Sequence, residues 1–136
     1  MRDLSVSKVT EAVKEMCIEA NHFLSADMQE AMRNAVDAEE SPLGKQILTQ
    51  LKENSKIAGE DMIPICQDTG MAVVFVEVGQ EVHFVDGALE AAIHEGVRQG
   101  YQEGYLRKSV VKDPVYRENT KDNTPAVIHY SITQGD

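Results

Sequence analysis

The stretch that decides the fold reads PICQDTG at residues 64–70, followed at once by MAVVFVEV at residues 71–78. The first segment places a thiol, an amide and a carboxylate on consecutive residues and closes with Thr-Gly, which is typical of a turn. The second segment is short, nearly continuous in apolar residues and rich in β-branched ones, so it predicts a strand buried on both faces. Because reactive side chains concentrate on loops anchored to rigid elements, residues 66–70 are the first candidates for a functional site.

The roughly 60 residues before this stretch are predicted to be entirely helical. Apolar residues recur at spacings of three and four from Val9 to Leu24, which predicts a first amphipathic helix. Residues 27–30 have the pattern of a capping box and predict the start of a second helix. A third helix is predicted to begin at Ser41-Pro42, because serine is a favoured N-cap and proline fits the first helical position, and to end near Gly59.

The residues after the strand predict a second strand, a helix and a third strand. Residues 81–85 are predicted to pair back on the first strand after a turn at Gly79-Gln80. A polar loop follows the helix at residues 107–125, and residues 126–133 alternate as a strand does. The order predicts an α+β fold, with an N-terminal helical segment followed by a small sheet and a packed helix.

The helix between those strands, predicted from Asp86 to about Leu106, carries three glycines four residues apart. They are Gly96, Gly100 and Gly104, and this spacing places them on one helical face. Each glycine costs about 1 kcal/mol of helix stability relative to alanine. A strand or another helix is therefore expected to pack unusually close to that face.

Composition narrows the classes of function. The chain has 136 residues and a formal net charge of −10, which argues against nucleic acid or an anionic membrane as a partner. An anionic substrate would need a local basic patch, and residues 98–122 hold six basic and four acidic side chains. A solvated turn region explains that segment equally well. No apolar run approaches the roughly 18 residues of a membrane span.

The two cysteines lie in different contexts. Cys17 lies beside the first apolar stripe and is expected to be a small buried hydrophobe, whereas Cys66 lies in the 64–70 segment. Two widely spaced cysteines do not predict a disulfide framework, and no secretory signal peptide is recognised. The chain is therefore expected to be cytoplasmic, in a reducing compartment.

Local chemistry alone leaves several interpretations of residues 66–70 open, and it favours a structural turn in which Asp68 bonds its own backbone. Asp-Thr-Gly is also the triplet of aspartic proteases. Those proteins are nearly all-β, whereas about half of this chain is predicted to be helical, so a protease is disfavoured. A zinc site is also disfavoured, because the four histidines show no ligand-like spacing.

A wider set of residues resembles the iron–sulfur-dependent class I fumarases. The resemblance is carried by Ile63–Gly70, the strand after it, Leu106–Ser109, Asn119-Thr120 and Asn123–Pro125. It covers essentially the whole chain and is closest to the α subunit of the two-subunit form. It implies that residues 1–136 are the N-terminal part of an α-subunit catalytic domain, and that the chain is a fragment. L-tartrate dehydratases share the Cys-Gln-Asp-Thr-Gly string, so the substrate is less well specified than the family.

The resemblance also implies roles for individual residues. A [4Fe–4S] cluster would be held by three cysteines, of which Cys66 matches the first. Gln67 and Asp68 match residues that contact a bound dicarboxylate, with Asp68 as the proton-transfer group. Arg107 matches an arginine that binds a substrate carboxylate. Supporting positions of the same pattern are Thr69, Gly70, Asn119 and Thr120.

The implied activity is the reversible hydration of fumarate to L-malate, a step of the tricarboxylic acid cycle, at an open iron acting as a Lewis acid. L-tartrate dehydratase and a non-catalytic interaction domain that kept the fold are the alternatives. Because one of three cysteine ligands stands in the matching context, the isolated chain is expected to be inactive. The expected partners are a small dicarboxylate, a fumarase β subunit or C-terminal domain, and further copies in an oligomer.

Overall fold

The computed structural model describes all 136 residues. In chain order its elements are β1 (Arg2–Ser5), α1 (Val6–His22), α2 (Ala26–Ala38), α3 (Pro42–Asp61), β2 (Val73–Gly79), β3 (Val82–Val85), α4 (Leu89–Glu103) and β4 (Val127–Thr133). The strands form two separate parallel pairs, β1 with β3 and β2 with β4. The predicted α+β class is confirmed.

The chain divides into two compact units, and each is described by itself. The strand unit comprises Met1–Ile18 and Asp68–Asp136, and so contains both sheets, most of α1 and all of α4. The helical unit is Glu19–Gln67, with the end of α1 and helices α2 and α3.

The strand unit is built on the close packing of α4 against α1. A Cβ atom added at Gly96 would lie 2.6 Å from the backbone oxygen of Thr10, and one added at Gly100 would lie 2.8 Å from the Cβ of Cys17. The Thr10 hydroxyl donates a hydrogen bond to the carbonyl oxygen of Ala92 at 3.0 Å, which fixes the crossing. The predicted close packing at the glycine face is confirmed, and the neighbour is helix α1.

The core of this unit lies between those helices and the β2–β4 sheet. Its buried members are Val13, Ile93, Val97, Tyr101, Leu106 and Ala126. Alternate residues of β2, including Val74 and Val76, pack against this core. The prediction that β2 is buried on both faces is wrong, because Phe75 on the opposite face is 77% exposed. One helical layer covers one face of the pair, so the strand alternates as a half-buried strand does.

Two predictions about strand pairing are wrong. The chain begins with a strand rather than a helix, because Arg2–Ser5 pairs in parallel with β3 in the register Leu4 to Phe84. The 81–85 segment consequently does not pair back on β2, whose partner is β4. Both errors concern partners about 50 to 80 residues apart, which local pattern does not report.

The helical boundaries also differ from the predictions. Helix α4 is shorter than predicted, since Asp86 and Tyr105 have positive φ values of 68° and 53° and lie outside the helical region. Helix α3 begins as predicted, with Ser41 as its N-cap, but continues past Gly59 to Asp61, and its C-cap Met62 has the left-handed conformation. The N-cap of α2 is Ser25, without a side-chain capping bond, so the predicted capping box is wrong.

Candidate functional site

Asp68, Thr69 and Gly70 form a tight turn directly before β2, which we call the Asp68 turn. The carboxylate of Asp68 accepts a hydrogen bond from the backbone N–H of Gly70 at 3.1 Å. Gly70 has a φ of 61°, a value that glycine adopts without a steric penalty. The backbone-bonding turn predicted from local chemistry is therefore present, and the exposed Asp68 side chain lies at its start.

Thr69 joins this turn to the loop that follows α4. Its hydroxyl donates to the carbonyl oxygen of Arg107 at 3.2 Å and accepts from the backbone N–H of Arg107 at 2.9 Å. These two bonds connect residues 38 positions apart in the chain. The predicted proton-transfer residue and the predicted carboxylate-binding arginine therefore lie on adjoining loops.

Two buried side chains, Tyr101 and Asn123, form hydrogen bonds with the backbone of the same loops. The Tyr101 hydroxyl lies 2.9 Å from the carbonyl oxygen of Thr69 and 3.2 Å from that of Gly70. The Asn123 amide donates to the carbonyl oxygen of Gly70 at 3.0 Å, and its oxygen accepts from the backbone N–H groups of Ser109 and Val110. Asn123 is fully buried, and Tyr101 is 3% exposed.

No role for either of these residues was predicted from the sequence. Asn123 belongs to the Asn-Thr-Pro string that carried part of the resemblance. Its φ of 62° and its burial depend on the tertiary structure and could not be predicted from that string. Tyr101 lies in the last turn of α4, where an aromatic residue is typical of an ordinary core position. A buried polar side chain inside a polar loop is the signal that could have indicated Asn123, because asparagine tolerates the left-handed region.

Asn119 and Thr120 stabilise the 107–111 segment. The Asn119 amide donates to the carbonyl oxygen of Lys108 at 2.8 Å. The backbone N–H of Thr120 donates to the carbonyl oxygen of Val110 at 3.0 Å. An isolated antiparallel bridge between Val111 and Asn119 closes the loop. These contacts are with the loop backbone, and a supporting role of Asn119 and Thr120 at the site stays a prediction.

The 98–122 segment carries more basic than acidic side chains. Arg98 forms ion pairs with Glu95 and Asp122, and Lys112 forms one with Glu118. The other four basic residues of the segment take part in no ion pair; they are Arg107, Lys108, Arg117 and Lys121. Arg107 is exposed, so its guanidinium group is accessible to a carboxylate from solution.

Cys66 and Gln67 belong to the helical unit and are its last two residues. The segment before them is held by Ile65, whose N–H donates to the carbonyl oxygen of Asn21 at 2.8 Å and whose carbonyl accepts from the Asn54 side chain at 2.9 Å. The Cys66 thiol donates to the side-chain oxygen of Gln67 at 3.9 Å. Both residues are exposed, and they precede Asp68 directly in the chain.

The thiols of this chain fit one position of a thiolate-held cluster. Cys66 is exposed and forms no disulfide. Cys17 is half-buried against the core, as predicted, and burial raises its pKa to about 11, which disfavours the thiolate that ligates iron. No three His, Cys, Asp or Glu side chains of the 136 residues are grouped to hold a metal ion. None of the helices is long and apolar enough to cross a membrane.

The family model and the known proteins that match this chain indicate the same family. A family model described as fumarate hydratase (Fumerase) matches residues 10–136. A protein named "Putative L(+)-tartrate dehydratase subunit alpha" from Methanocaldococcus jannaschii is 37% identical over 117 residues, covering 85% of this chain and 41% of its own length. "Fumarate hydratase class I, aerobic" from Escherichia coli K12 is 35% identical over 133 residues, covering 93% of this chain and 24% of its own length.

A third relative, "L(+)-tartrate dehydratase subunit alpha" from Escherichia coli UTI89, is 29% identical over 135 residues. That match covers 97% of this chain and 44% of the relative. The chain thus spans less than half the length of each of these three curated relatives.

Proposed function

Because this chain belongs to the fumarate hydratase (Fumerase) family, we propose that it is the N-terminal part of the α-subunit catalytic domain of an iron–sulfur hydro-lyase. The complete enzyme catalyses the reversible hydration of fumarate to L-malate. The observation that carries this proposal is the pair of hydrogen bonds between the Thr69 hydroxyl and the Arg107 backbone. They bring the two loops that would contact a dicarboxylate together on one side of the strand unit.

Arg107 binds a substrate carboxylate. A guanidinium group presents two parallel N–H donors that match the two oxygens of a carboxylate, which the single ammonium of lysine does not. The side chain is exposed and has no ion-pair partner to displace, so a dicarboxylate would not compete with an internal carboxylate.

Asp68 transfers a proton at its carboxylate oxygens, and Gln67 hydrogen-bonds the substrate through its side-chain amide. Dehydration of malate removes a C–H proton and a hydroxyl group, so a carboxyl group held near the reacting carbons can serve as acid or base. The hydrogen bond from the Gly70 N–H orients the Asp68 carboxyl group at the start of the turn. The turn is thus the local structure that presents the reactive group.

The remaining chemistry requires a [4Fe–4S] cluster, which supplies an open iron as Lewis acid for the hydroxyl and carboxylate oxygens of the substrate when bound. Cys66 would hold the cluster through its exposed thiol. The other two thiolates, together with further substrate-binding groups, come from outside these 136 residues. Their source is a β subunit or a C-terminal domain of the same protein.

A cytoplasmic assembly of α and β subunits is the form we propose for the complete enzyme. Two of the relatives carry the word subunit in their names, which supports a partner chain. In that assembly the enzyme would serve the interconversion of fumarate and malate in the tricarboxylic acid cycle.

L-tartrate dehydration is the second candidate activity. It is favoured by the relative named as a tartrate dehydratase α subunit, which is 37% identical to this chain against 35% for the aerobic fumarate hydratase. Tartrate differs from malate by one hydroxyl group, and the roles of Cys66, Asp68 and Arg107 apply equally to both substrates. The groups that distinguish that hydroxyl are expected outside this chain.

The test is anaerobic reconstitution of the complete enzyme as wild type, Cys66→Ser and Cys17→Ala. Iron content and initial rates with malate and with tartrate are measured on each. We expect an active wild type, loss of both iron and activity in Cys66→Ser, and retention of both in Cys17→Ala. The ratio of kcat/KM for malate and tartrate then identifies the substrate. A wild type that binds no cluster, or a Cys66→Ser variant with full activity, would contradict the proposal.

A further inference from the structure

We infer that Tyr101 and Asn123 are positioning residues of the proposed active site, which together fix the Asp68 turn to the segment that follows Arg107. The inference rests on the proposed function for its catalytic consequence. Both side chains lie beneath the turn, out of contact with solvent, and neither carries chemistry in the proposed reaction. Together they are called the Tyr101–Asn123 pair.

Asn123 connects the two loops through a single side-chain amide. Its nitrogen donates to the carbonyl oxygen of Gly70 at 3.0 Å. Its oxygen accepts from the N–H groups of Ser109 at 2.8 Å and Val110 at 3.0 Å. Because Asn123 is fully buried, removing its amide leaves these three backbone groups without their partner inside the protein. The loss of Asn123 would therefore separate the turn from the segment after Arg107.

Tyr101 ties the turn to the rigid core. Its ring is part of the buried cluster on α4, and its hydroxyl lies within hydrogen-bond distance of the carbonyl oxygens of Thr69 and Gly70. Burial raises the pKa of Tyr101, an effect to which the charges of Cys17 and Asp68 add and which a hydrogen bond from Asn123 opposes. The hydroxyl therefore remains protonated and available as a donor.

The Tyr101–Asn123 pair sets the separation of the two reactive side chains. Gly70 receives hydrogen bonds from both members of the pair, and the Thr69 hydroxyl bonds the Arg107 backbone on the exposed side. Asp68 and Arg107 are themselves exposed, and these backbone contacts fix the relative position of the loops that carry them. A misplacement of about 1 Å between reacting groups can cost about a hundredfold in rate, so weaker fixation lowers turnover.

The test uses the complete enzyme with Tyr101→Phe and Asn123→Gly. Phenylalanine removes the hydroxyl and keeps the ring in the core, and glycine removes the amide while accepting the φ of 62° at position 123. The matched controls are Tyr116→Phe, at a side chain that is 86% exposed, and Asp86→Gly, at an exposed position with a φ of 68°. Measured for each are kcat and KM per folded, cluster-loaded site, the melting temperature, and amide hydrogen exchange at Arg107, Ser109 and Val110.

We expect kcat per folded site to fall by about tenfold to a hundredfold in both variants, since loop misplacement acts on the chemical step. Amide exchange at Ser109 and Val110 should accelerate in Asn123→Gly, and neither control should change. A purely structural role predicts fewer folded molecules with unchanged kcat and KM per site, and that result would overturn the inference.

These measurements distinguish a failure of the proposed function from a failure of this inference. A wild type that dehydrates neither malate nor tartrate removes the proposed reaction, and the exchange measurement then decides whether the Tyr101–Asn123 pair fixes the loops. Faster exchange in Asn123→Gly would support the fixation without the reaction. Unchanged exchange and unchanged turnover would refute the role of the pair.

Discussion

The strand unit and the helical unit use their apolar residues in different ways. In the strand unit Ile93 and Val97 are fully buried between α1, α4 and the β2–β4 sheet. In the helical unit α2 has no buried residue and α3 buries Ala58 alone, while Leu43 and Leu51 of α3 are 66% and 51% exposed. Hydrophobic stabilisation scales with the apolar area removed from water, so the internal stability of the chain resides mainly in the strand unit.

This difference bears on the proposed site. Asp68 and Arg107 lie on loops of the well-packed strand unit, where buried hydrogen bonds hold them. Cys66 and Gln67 lie in the helical unit, whose core is small. The groups proposed to need accurate placement relative to the substrate are therefore on the part of the molecule with the larger core.

The largest contrast between the units is expected from shortening an apolar side chain in each. Ile93→Ala should lower the free energy of unfolding by about 3 kcal/mol, because it removes a fully buried side chain and leaves a cavity. Leu51→Ala, at a side chain that is 51% exposed, should change it by less than about 0.5 kcal/mol. Urea unfolding of the full chain measures both. Equal losses would mean that α3 contributes as much to stability as the core of the strand unit.

The two cysteines are expected to differ in the reactivity of their thiols. Burial raises the pKa of Cys17 to about 11, whereas Cys66 is exposed. The thiolate is the form that reacts with iodoacetamide, and a pKa raised from 9.0 to about 11 lowers the thiolate population about a hundredfold near neutral pH. In the protein without cluster, Cys66 should react at least about a hundredfold faster than Cys17 near neutral pH. Labelling of Cys17 should then increase as the pH rises towards 11.

Mass spectrometry of the labelled peptides follows both reactions in one sample, and unfolding in urea is the control. The difference between the two thiols should largely disappear in the unfolded chain, where neither is buried. Comparable labelling rates in the folded protein would show that the α1–α4 contact does not protect Cys17.

Two glycine-to-alanine substitutions, one in each unit, distinguish the effect of close packing on stability from the effect of helix propensity. Gly96→Ala should destabilise the chain by about 1 to 2 kcal/mol, since its Cβ would lie 2.6 Å from the Thr10 oxygen and 2.7 Å from the Cβ of Val13. Gly44→Ala should be neutral or up to about 1 kcal/mol stabilising, because its Cβ meets the flexible end of Glu39 and alanine is the better helix former. Thermal unfolding tests both, and a neutral Gly96→Ala would contradict the packing of α4 on α1.

The smallest effect is expected at the helix cap of α3. The Ser41 side chain accepts a hydrogen bond from the Gly44 N–H at 3.4 Å, so Ser41→Ala should cost about 0.5 to 1 kcal/mol. Ser55→Ala is the matched control, because Ser55 is inside the same helix and its hydroxyl bonds the carbonyl oxygen of Lys52. The circular dichroism signal during urea unfolding reports the loss, and an equal effect of both substitutions would argue against a specific cap.

Local pattern predicted those parts of the fold whose determinants lie within a few residues. Ser41-Pro42 carries the start signal of α3, and the α4 glycines, spaced four apart, predicted a close neighbour. The pairing of Arg2–Ser5 with Val82–Val85 was missed because four residues with two charges carry no strand signal. The exposed face of β2 was missed because Met71–Val78 is apolar on both faces except at Glu77.

The candidate site likewise contains features that the local sequence predicts and features that it does not. The Asp68 turn followed from the Asp-Thr-Gly sequence, because aspartate bonding to its own backbone is a local interaction. The hydrogen bonds between Thr69 and Arg107, and those that Tyr101 and Asn123 make beneath the turn, join residues between 13 and 53 positions apart. No spacing rule predicts such contacts. The residues proposed to react were therefore predicted from the sequence, whereas the residues that hold their loops became visible in the structure.

If Asp68 takes part in proton transfer on a loop adjoining Arg107, the turnover of Asp68→Asn in the reconstituted complete enzyme should show it. Asparagine retains an oxygen that accepts the Gly70 hydrogen bond and cannot exchange a proton. We predict a fall in kcat of about a hundredfold to ten-thousandfold, with iron content and melting temperature unchanged. Wild-type turnover in this variant would contradict the claim and leave the Asp68 turn as a structural element alone.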